Sequence, residues 1–178
     1  MQRFLVPHPD RPCEAVSQIA VEAARTGASR LSLRYRLAAG PGLVVPPAER
    51  PARTDGLWKH TCFEAFVRAP GADAYVEVNL SPSGQWAAYR FDAYRKGMAQ
   101  AEIGPPEILW SGTADGFELA ATLDLGAVAD LANAPWRLGL SAVIEETSGR
   151  TSYWALAHPP GRADFHHSDG FVLDLPPP

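Results

Sequence analysis

The stretch TCFEAFVR at residues 61–68, followed by AYVEVNL at 74–80 and QWAAYRF at 85–91, decides the fold of this chain. In the first two segments one set of alternate positions is wholly apolar, which is typical of β-strands that bury one face. The tetrapeptide SPSG at 81–84 joins the second and third segments, with Pro at its second position and Gly at its fourth, as a type I turn prefers. We therefore predict three neighbouring antiparallel strands, the last two forming a hairpin.

Short alternating segments elsewhere extend this pattern to a whole domain. They predict seven further strands, at 19–23, 31–37, 106–110, 117–123, 137–145, 151–156 and 171–175. The segment 124–132 predicts a helix that Asp124 can cap, and the proline-rich segment 41–56 predicts a long loop. We expect an all-β fold, an antiparallel β-sandwich of jelly-roll-like form with one short helix, as a single domain over 1–178.

Composition limits the classes of partner. The chain has 178 residues, a formal net charge of −4, and 16 basic residues scattered among 20 acidic ones. Since no basic patch is visible, we expect no nucleic-acid partner, and the apolar runs are too short to predict a membrane partner. The start of the sequence shows no signal-peptide pattern, and two cysteines, Cys13 and Cys62, are too few for a disulfide framework, so we expect a cytoplasmic location.

The opposite face of the three central strands is chemically mixed. In the first two segments it carries Cys62, Glu64, Phe66, Tyr75, Glu77 and Asn79. An in-register hairpin would place Asn79 opposite Trp86 and Tyr75 opposite Arg90, adding Trp86 and Arg90 to this face. A one-residue bulge would instead turn a different set toward it, namely Gln85, Ala87, Tyr89 and Phe91.

The same meander would pair Glu64 with Glu77 across neighbouring strands. Like charges directly opposite each other destabilise a sheet, so we expect a compensating group, either an arginine (Arg90, Arg34 or Arg36) or the hydroxyls of a sugar. Aromatic platforms beside planar polar groups are what a pyranose ring needs. A solvent-wetted face with an internal ion pair is the alternative interpretation.

The sequence RTDGLWKHTCFEAF at 53–66, with YVEVNLSPSGQW at 75–86, resembles the bacterial DOMON-like proteins, which are related to carbohydrate-binding module family nine. The resemblance extends through FDAYR at 91–95 to the pair at 153–154 and to DFH at 164–166. It implies a β-sandwich with a ligand site on one sheet or its rim, and members of the wider group bind sugars or haem.

The resemblance also implies roles for single residues. In the sugar-binding module a Trp precedes a strand Glu by six positions, which Trp58 and Glu64 match, implying a stacking platform and a hydroxyl acceptor. Asn79 and Arg90 are the nearest equivalents of its polar strand residues, and Trp154 matches a second stacking Trp. We predict a non-enzymatic domain for a small saccharide or sugar-containing metabolite, with no catalytic residue, metal or cofactor, and with a binding site formed by Trp58, Glu64, Glu77, Asn79, Trp86, Arg90 and Trp154.

Three rival functions stay open at this point. A protein-interaction module would use Trp58, Trp110 and the proline-rich loop to dock a protein partner. A haem-binding domain would need Met98 with His166 or His167 as axial ligands. A glycosidase would use Glu64 and Glu77 as its carboxyl pair, although neither lies in a recognisable glycosidase motif.

A further cluster of potential metal ligands lies near the end of the chain. Its members are His158, Asp164, His166, His167 and Asp169. Adjacent histidines in a strand point to opposite faces, so we interpret this segment as a surface loop and not as a metal site.

Overall fold

The structure is a computed structural model that describes residues 2–132 and 134–177. These residues form twelve strands: β1 (Arg3–Pro7), β2 (Val16–Arg25), β3 (Arg30–Ala39), β4 (Cys62–Arg68), β5 (Tyr75–Leu80), β6 (Trp86–Phe91), β7 (Ala99–Gln100), β8 (Glu107–Thr113), β9 (Gly116–Asp124), β10 (Trp136–Glu145), β11 (Thr151–Ala155) and β12 (Leu173–Leu175). Three short 3₁₀ helices lie at Leu57–Lys59, Ala129–Leu131 and Ser168–Gly170. All ten predicted strands are confirmed, whereas β1 and β7 were not predicted.

The strands form one antiparallel sheet that folds over on itself. Its order is β7-β6-β5-β4-β10-β11-β1-β2-β3-β9-β8, with β12 paired to the start of β10. β1 joins the two halves, because its Phe4 pairs with Ala20 of β2 while its Val6 pairs with Ala155 of β11. The predicted all-β sandwich is therefore confirmed.

The main core lies between the two halves of the sheet. The apolar alternate residues of β4 and β5 all lie in it, and from the other half so do Leu31, Leu33, Tyr35 and Leu37 of β3 and Leu119, Ala121 and Leu123 of β9. Contact across the sandwich is direct, because the rings of Tyr35 and Phe63 have centroids 5.0 Å apart and the Tyr35 hydroxyl donates to the backbone carbonyl of Glu64 at 2.8 Å. β4 and β5 thus have one face fixed against this core, and their other face carries Glu64 and Glu77.

The hairpin between β5 and β6 contains the bulge. Gly84 N–H donates to the Ser81 carbonyl at 3.0 Å, which confirms the type I turn, but Gly84 itself has φ 91° and adds one residue to the loop. Leu80 therefore pairs with Trp86, and Glu77 pairs with Tyr89. The in-register pairing is wrong, and the bulged alternative is the one observed.

The predicted pairing of β4 with β5 is also wrong, by two residues. Glu64 lies opposite Asn79, and Phe66 lies opposite Glu77. A shift of two residues preserves the face on which each side chain lies. Glu64 and Glu77 therefore share a face as diagonal neighbours, which places a neutral amide, and not a second carboxylate, directly across from Glu64.

The predicted helix at 124–132 is wrong apart from the short turn Ala129–Leu131. Asp124 is the last residue of β9 and pairs with Arg30, and its carboxylate accepts a hydrogen bond from Gly126 N–H at 2.9 Å instead of capping a helix. Leu125 and Leu131 reach the core from an irregular segment. Residue 133 lies outside the described residues.

The long loop predicted at 41–56 is confirmed, with isolated bridges only at Leu43 and Arg53 among its described pairings. In the part of the chain that the structure describes, no helix has the length and apolar character needed to cross a membrane.

Candidate functional site: a cavity floored by two carboxyls

A cavity of about 430 Å³ lies on the face of β4 and β5 that points away from the main core. Three connections cover this face: the segment before β4, the β6–β7 connection and the β11–β12 connection. The lining residues are Trp58, Glu64, Glu77, Tyr89, Phe91, Arg95, Met98, Val143, Tyr153, Ala163, Phe165 and His166. We refer to it as the carboxyl cavity, since two buried carboxyls form its floor.

Glu64 and Glu77 are held from adjacent strands. Their residues are only 3% and 6% exposed. The Ser141 hydroxyl of β10 donates to Glu64 Oε2 at 3.2 Å, and the Asn79 side-chain amide donates to Glu77 Oε1 at 2.9 Å. Each carboxyl is thus oriented by a neighbour on its own sheet face.

Burial makes these carboxyls hard to ionise. Burial and the nearby Glu77 raise the pKa of Glu64 from 4.5 to about 8, against a smaller lowering by Ser141 and Arg95. Burial likewise raises the pKa of Glu77, although Asn79 and Arg95 oppose this. The Glu64–Glu77 pair therefore retains a proton at neutral pH, so the floor of the cavity can both donate and accept hydrogen bonds.

Arg95 enters the cavity from the β6–β7 connection. Its backbone is left-handed, with φ 52°, an uncommon conformation for a residue other than glycine. Its guanidinium Nη2 donates to Asp164 Oδ1 at 2.8 Å, and Asp164 also accepts from the Tyr94 hydroxyl. Burial raises the pKa of Asp164, but these hydrogen bonds outweigh it and leave that pKa below its usual value. Arg95 is therefore charged and already paired.

His166 lies among aromatic rings beside the carboxyls. Its ring centroid is 5.1 Å from each of those of Phe66 and Phe91. The Tyr75 hydroxyl accepts from Arg95 N–H at 3.2 Å and lies 2.8 Å from His166 Nδ1. We assign the Tyr75 proton to that bond, which leaves the imidazole proton on Nε2.

The charge state of His166 follows from its surroundings. Its Nε2 is 3.7 Å from Glu77 Oε2, too long for a hydrogen bond. Burial, together with the charge of Arg95, lowers the pKa of His166 to about 4. The contact with Glu77 is therefore one between a neutral imidazole and a carboxyl, and not a salt bridge.

Aromatic side chains form the walls. Trp58, 40% exposed, packs edge-on to Tyr89 with ring centroids 6.1 Å apart, and Tyr153 packs edge-on to Phe165 at 6.0 Å. The Tyr89 hydroxyl donates to Asp55 Oδ1 at 2.6 Å, and burial followed by this bond raises the Tyr89 pKa. Such walls can pack on the C–H face of a ring while the floor binds its hydroxyls.

The structure brings together three of the seven predicted site residues, Trp58, Glu64 and Glu77. A fourth, Asn79, is buried behind them and touches the site through its hydrogen bond to Glu77. The predicted platform, Trp58, and the predicted acceptor, Glu64, therefore line the same cavity.

The other three predicted residues lie elsewhere. Trp86 and Trp154 are buried in the main core. Arg90 lies outside the carboxyl cavity and pairs with the exposed Asp92 at 3.2 Å. The bulge at Gly84 turns Tyr89 toward the cavity and Trp86 away from it, and on β11 the residue that reaches the cavity is Tyr153, the neighbour of Trp154.

Sequence reasoning gave no sugar-binding role to several lining residues. The sequence did contain a signal for Tyr89 and Phe91, because a bulged hairpin predicts that their side chains point to this face. Arg95 and Phe165 lie in irregular connections, and no periodic pattern marks their direction.

The positions of the histidines, acidic residues and Met98 limit which metal ion or haem the chain could ligate. No group of three or more His, Cys, Asp or Glu side chains is placed to hold a metal ion within residues 2–132 and 134–177. Met98 and His166 line the same cavity, whereas His167 lines a neighbouring depression. The haem hypothesis therefore reduces to the pair Met98 and His166.

Solved structures from Bacteroides uniformis and Caldicellulosiruptor kristjanssonii are similar to this fold. A candidate carbohydrate-binding protein from Bacteroides uniformis is 18% identical, with a TM-score of 0.67 over 98% of this chain and 85% of that chain. A family nine carbohydrate-binding module (CBM9) from Caldicellulosiruptor kristjanssonii in complex with cellotriose is 11% identical, with a TM-score of 0.54 over 98% of this chain and 81% of that chain. A CBM9 from the same organism in complex with glucose is 12% identical, with a TM-score of 0.55 over 97% of this chain and 83% of that one.

These similarities show that the chain shares their fold. No family model and no curated protein matches the chain.

Proposed function

We propose that this chain is a non-enzymatic, DOMON-like binding domain for a small saccharide or sugar-containing metabolite. The observation that carries the proposal is the carboxyl cavity itself, in which Glu64 and Glu77 form a buried floor beneath exposed Trp58. Its volume of about 430 Å³ is within the usual range for small-molecule sites. The fold that the chain shares with sugar-binding modules supports the same choice.

The cavity offers a sugar both kinds of contact that it needs. The Trp58 indole provides a flat apolar surface for ring C–H groups. The partly protonated Glu64–Glu77 pair matches hydroxyls, since each hydroxyl both donates and accepts. Free guanidinium N–H groups of Arg95 add donors at one side, because its bond to Asp164 uses Nη2.

Binding without catalysis is supported by the placement of the two carboxyls. A glycosidase needs its acid and its nucleophile or base on opposite sides of the scissile bond. Glu64 and Glu77 instead project side by side from adjacent strands and approach a ligand from the same side. We expect incubation with aryl glycosides to release no phenol.

Haem binding is the alternative function that Met98 and His166 suggest. The ligand atoms that these residues offer do not fit a haem iron. Nδ1 of His166 accepts the Tyr75 proton, and its Nε2 carries the imidazole proton and faces the Glu77 carboxyl, so neither nitrogen has a free lone pair for iron. A haem would also bring two propionates toward a site with two buried carboxyls. We propose no cofactor, and expect no shifted Soret band when the protein is mixed with haemin.

The proposal is tested by isothermal titration calorimetry with glucose, cellobiose and cellotriose. We expect at least one to bind, and expect Trp58→Ala to abolish that binding while thermal unfolding stays within a few degrees. Leu109→Ala is the matched control, because Leu109 is 72% exposed on β8, in the other half of the sheet. Silence across these and a wider sugar panel would overturn the proposal in favour of a protein-docking role for Trp58.

A further inference from the structure

We propose that the preferred ligand is an amino sugar, whose protonated amine binds between Glu64, Glu77 and the aromatic walls of the carboxyl cavity. This inference rests on the proposed function and names the ligand class of the same site. It follows from the balance of charge in the cavity, from the composition of its walls and from the neutrality of His166.

The charges that line the cavity do not balance. Among its described lining residues, Arg95 carries the one fixed positive charge, and Asp164 already pairs with it at 2.8 Å. Glu64 and Glu77 have hydroxyl and amide neighbours but no cation within salt-bridge distance. Buried carboxylates are costly without a positive partner, so a ligand ammonium would supply what the protein does not.

The walls are also suited to a cation. Ammonium groups are attracted to the faces of aromatic rings, and most strongly to the face of Trp. Five such rings line the cavity: Trp58, Tyr89, Phe91, Tyr153 and Phe165. His166 is neutral near pH 7 and so adds no repulsion.

The floor distinguishes a primary ammonium from a quaternary one. A primary ammonium has three N–H donors, and carboxylate oxygens accept them, whereas a quaternary ammonium has no donor to offer. Sugar hydroxyls on the neighbouring carbons could then reach the remaining carboxyl oxygens and Arg95. A combined ammonium and polyol is therefore a better match than either alone.

Proton release accompanies this mode of binding. The pair Glu64–Glu77 is partly protonated before binding, and a bound cation stabilises its ionised form. The other titratable or charged groups that face the pair are Cys62 on β4, Tyr75 on β5, Tyr89 on β6, Arg95 before β7, Tyr153 on β11, His166 before β12 and, through Arg95, Asp164. Burial raises the pKa values of Cys62, Tyr75 and Tyr89. The pKa of His166 is lowered to about 4, and that of Asp164 is below its usual value, so we assign the released protons to the pair.

The test compares glucosamine, glucose and N-acetylglucosamine by calorimetry at pH 6.5, in two buffers with different ionisation enthalpies. We expect glucosamine to bind at least tenfold more tightly than the other two and to release a fraction of one proton. N-acetylglucosamine keeps the bulk of the substituent but removes its charge. Glu77→Gln should reduce the preference for glucosamine to less than threefold, whereas Glu107→Gln, an exposed change on β8, should leave it unchanged.

The outcomes separate this inference from the function on which it rests. Equal affinity for all three sugars would overturn the inference and leave saccharide binding intact. No binding by any of them would overturn both. Ethanolamine binding as tightly as glucosamine would show a plain amine site and overturn the amino-sugar assignment. If Glu77→Gln does not fold, the affinity of the unmodified protein for glucosamine relative to the two neutral sugars, together with its proton release, still tests the amino-sugar assignment.

Discussion

Glu64 connects the stability of the domain to its site. Its carboxyl is buried on a strand whose other face is fixed in the main core, so the side chain cannot move to solvent without disturbing β4. The unfolded chain has no such restriction, and there the carboxyl titrates near 4.5. The difference between the two states makes the free energy of unfolding depend on pH.

The sign of this dependence gives the first prediction. Between pH 4.5 and about 8 the folded state holds a proton on Glu64 that the unfolded state has lost, so stability falls as pH rises through this window. The limiting slope is about 1.4 kcal/mol per pH unit. We expect Glu64→Gln, which cannot ionise, to unfold at a higher temperature than the unmodified protein at pH 8 and at a similar temperature at pH 4.5. Calorimetric scans across this range check it, with Glu107→Gln as the surface control; parallel curves for Glu64→Gln and the unmodified protein would contradict it.

At the scale of elements, the β5–β6 hairpin decides which side chains reach the cavity. Its bulge depends on a left-handed residue at position 84, which glycine adopts at no steric cost. The long loop before β4 then packs on β6 through Arg53, whose guanidinium lies 4.2 Å from the Trp86 ring and donates to the carbonyl groups of Ala88, Ala101 and Ile103.

The glycine at the bulge gives the second prediction. A Cβ at Gly84 would lie 3.6 Å from the Glu49 carbonyl oxygen, an ordinary contact, so the cost of Gly84→Ala is that of the backbone conformation. We expect a loss of about 1–2 kcal/mol in urea unfolding. Gly104→Ala is the control, since a Cβ there meets nothing within 4 Å and its φ is not left-handed. Equal stability of the two variants would show that the bulge does not constrain the hairpin.

The loop anchor gives the third prediction. Arg53→Leu removes the donors to all three carbonyl groups and leaves them less well satisfied next to the core, so we expect a loss of about 2–4 kcal/mol by urea unfolding. Arg50→Leu, exposed in the same loop, should change stability by less than about 0.5 kcal/mol. Similar effects of the two changes would mean that the contacts of Arg53 add nothing to the folded state.

At the scale of the whole molecule, the folded-over sheet separates two sets of aromatic residues. One set, including Trp86, Trp136 and Trp154, lies between the halves of the sandwich. The other set lies on the outer face of β4 to β6 under the covering connections. The site can therefore be varied without disturbing the main core.

Two tryptophans test this separation and give the fourth prediction. Trp154→Ala should lower the free energy of unfolding by about 3–5 kcal/mol, because Trp154 is 3% exposed in the main core and the change leaves a cavity. Trp58→Ala should cost less than about 1 kcal/mol, since much of that indole is already in water. Chemical denaturation of both variants measures this; if Trp58→Ala were the more damaging change, Trp58 would be a structural residue.

The sequence predicted which face of the central strands each side chain lies on better than it predicted which residues pair across neighbouring strands. Alternation in β4 and β5 placed Glu64 and Glu77 on one face, and the two-residue error in pairing kept them there because side chains repeat with period two. The one-residue error in the hairpin had the opposite effect, because it exchanged Trp86 and Arg90 for Tyr89 and Phe91. No local pattern chose between the in-register and bulged turns.

The sequence by itself determined the all-β class, ten of the strands, the long loop and the neighbourhood of Trp58, Glu64 and Glu77, because alternation and spacing are local properties. Only the tertiary structure decided that Arg95, Tyr153, Phe165 and His166 complete the cavity. These residues come from the β6–β7 connection, from β11 and from the β11–β12 connection, and they meet β4 and β5 only when the sheet has formed and its loops have packed over it. Arg95 is about 20 to 30 positions from Glu64 and Glu77 along the chain, and the other three residues are about 75 to 100 positions away, so no local periodicity relates them to β4 and β5.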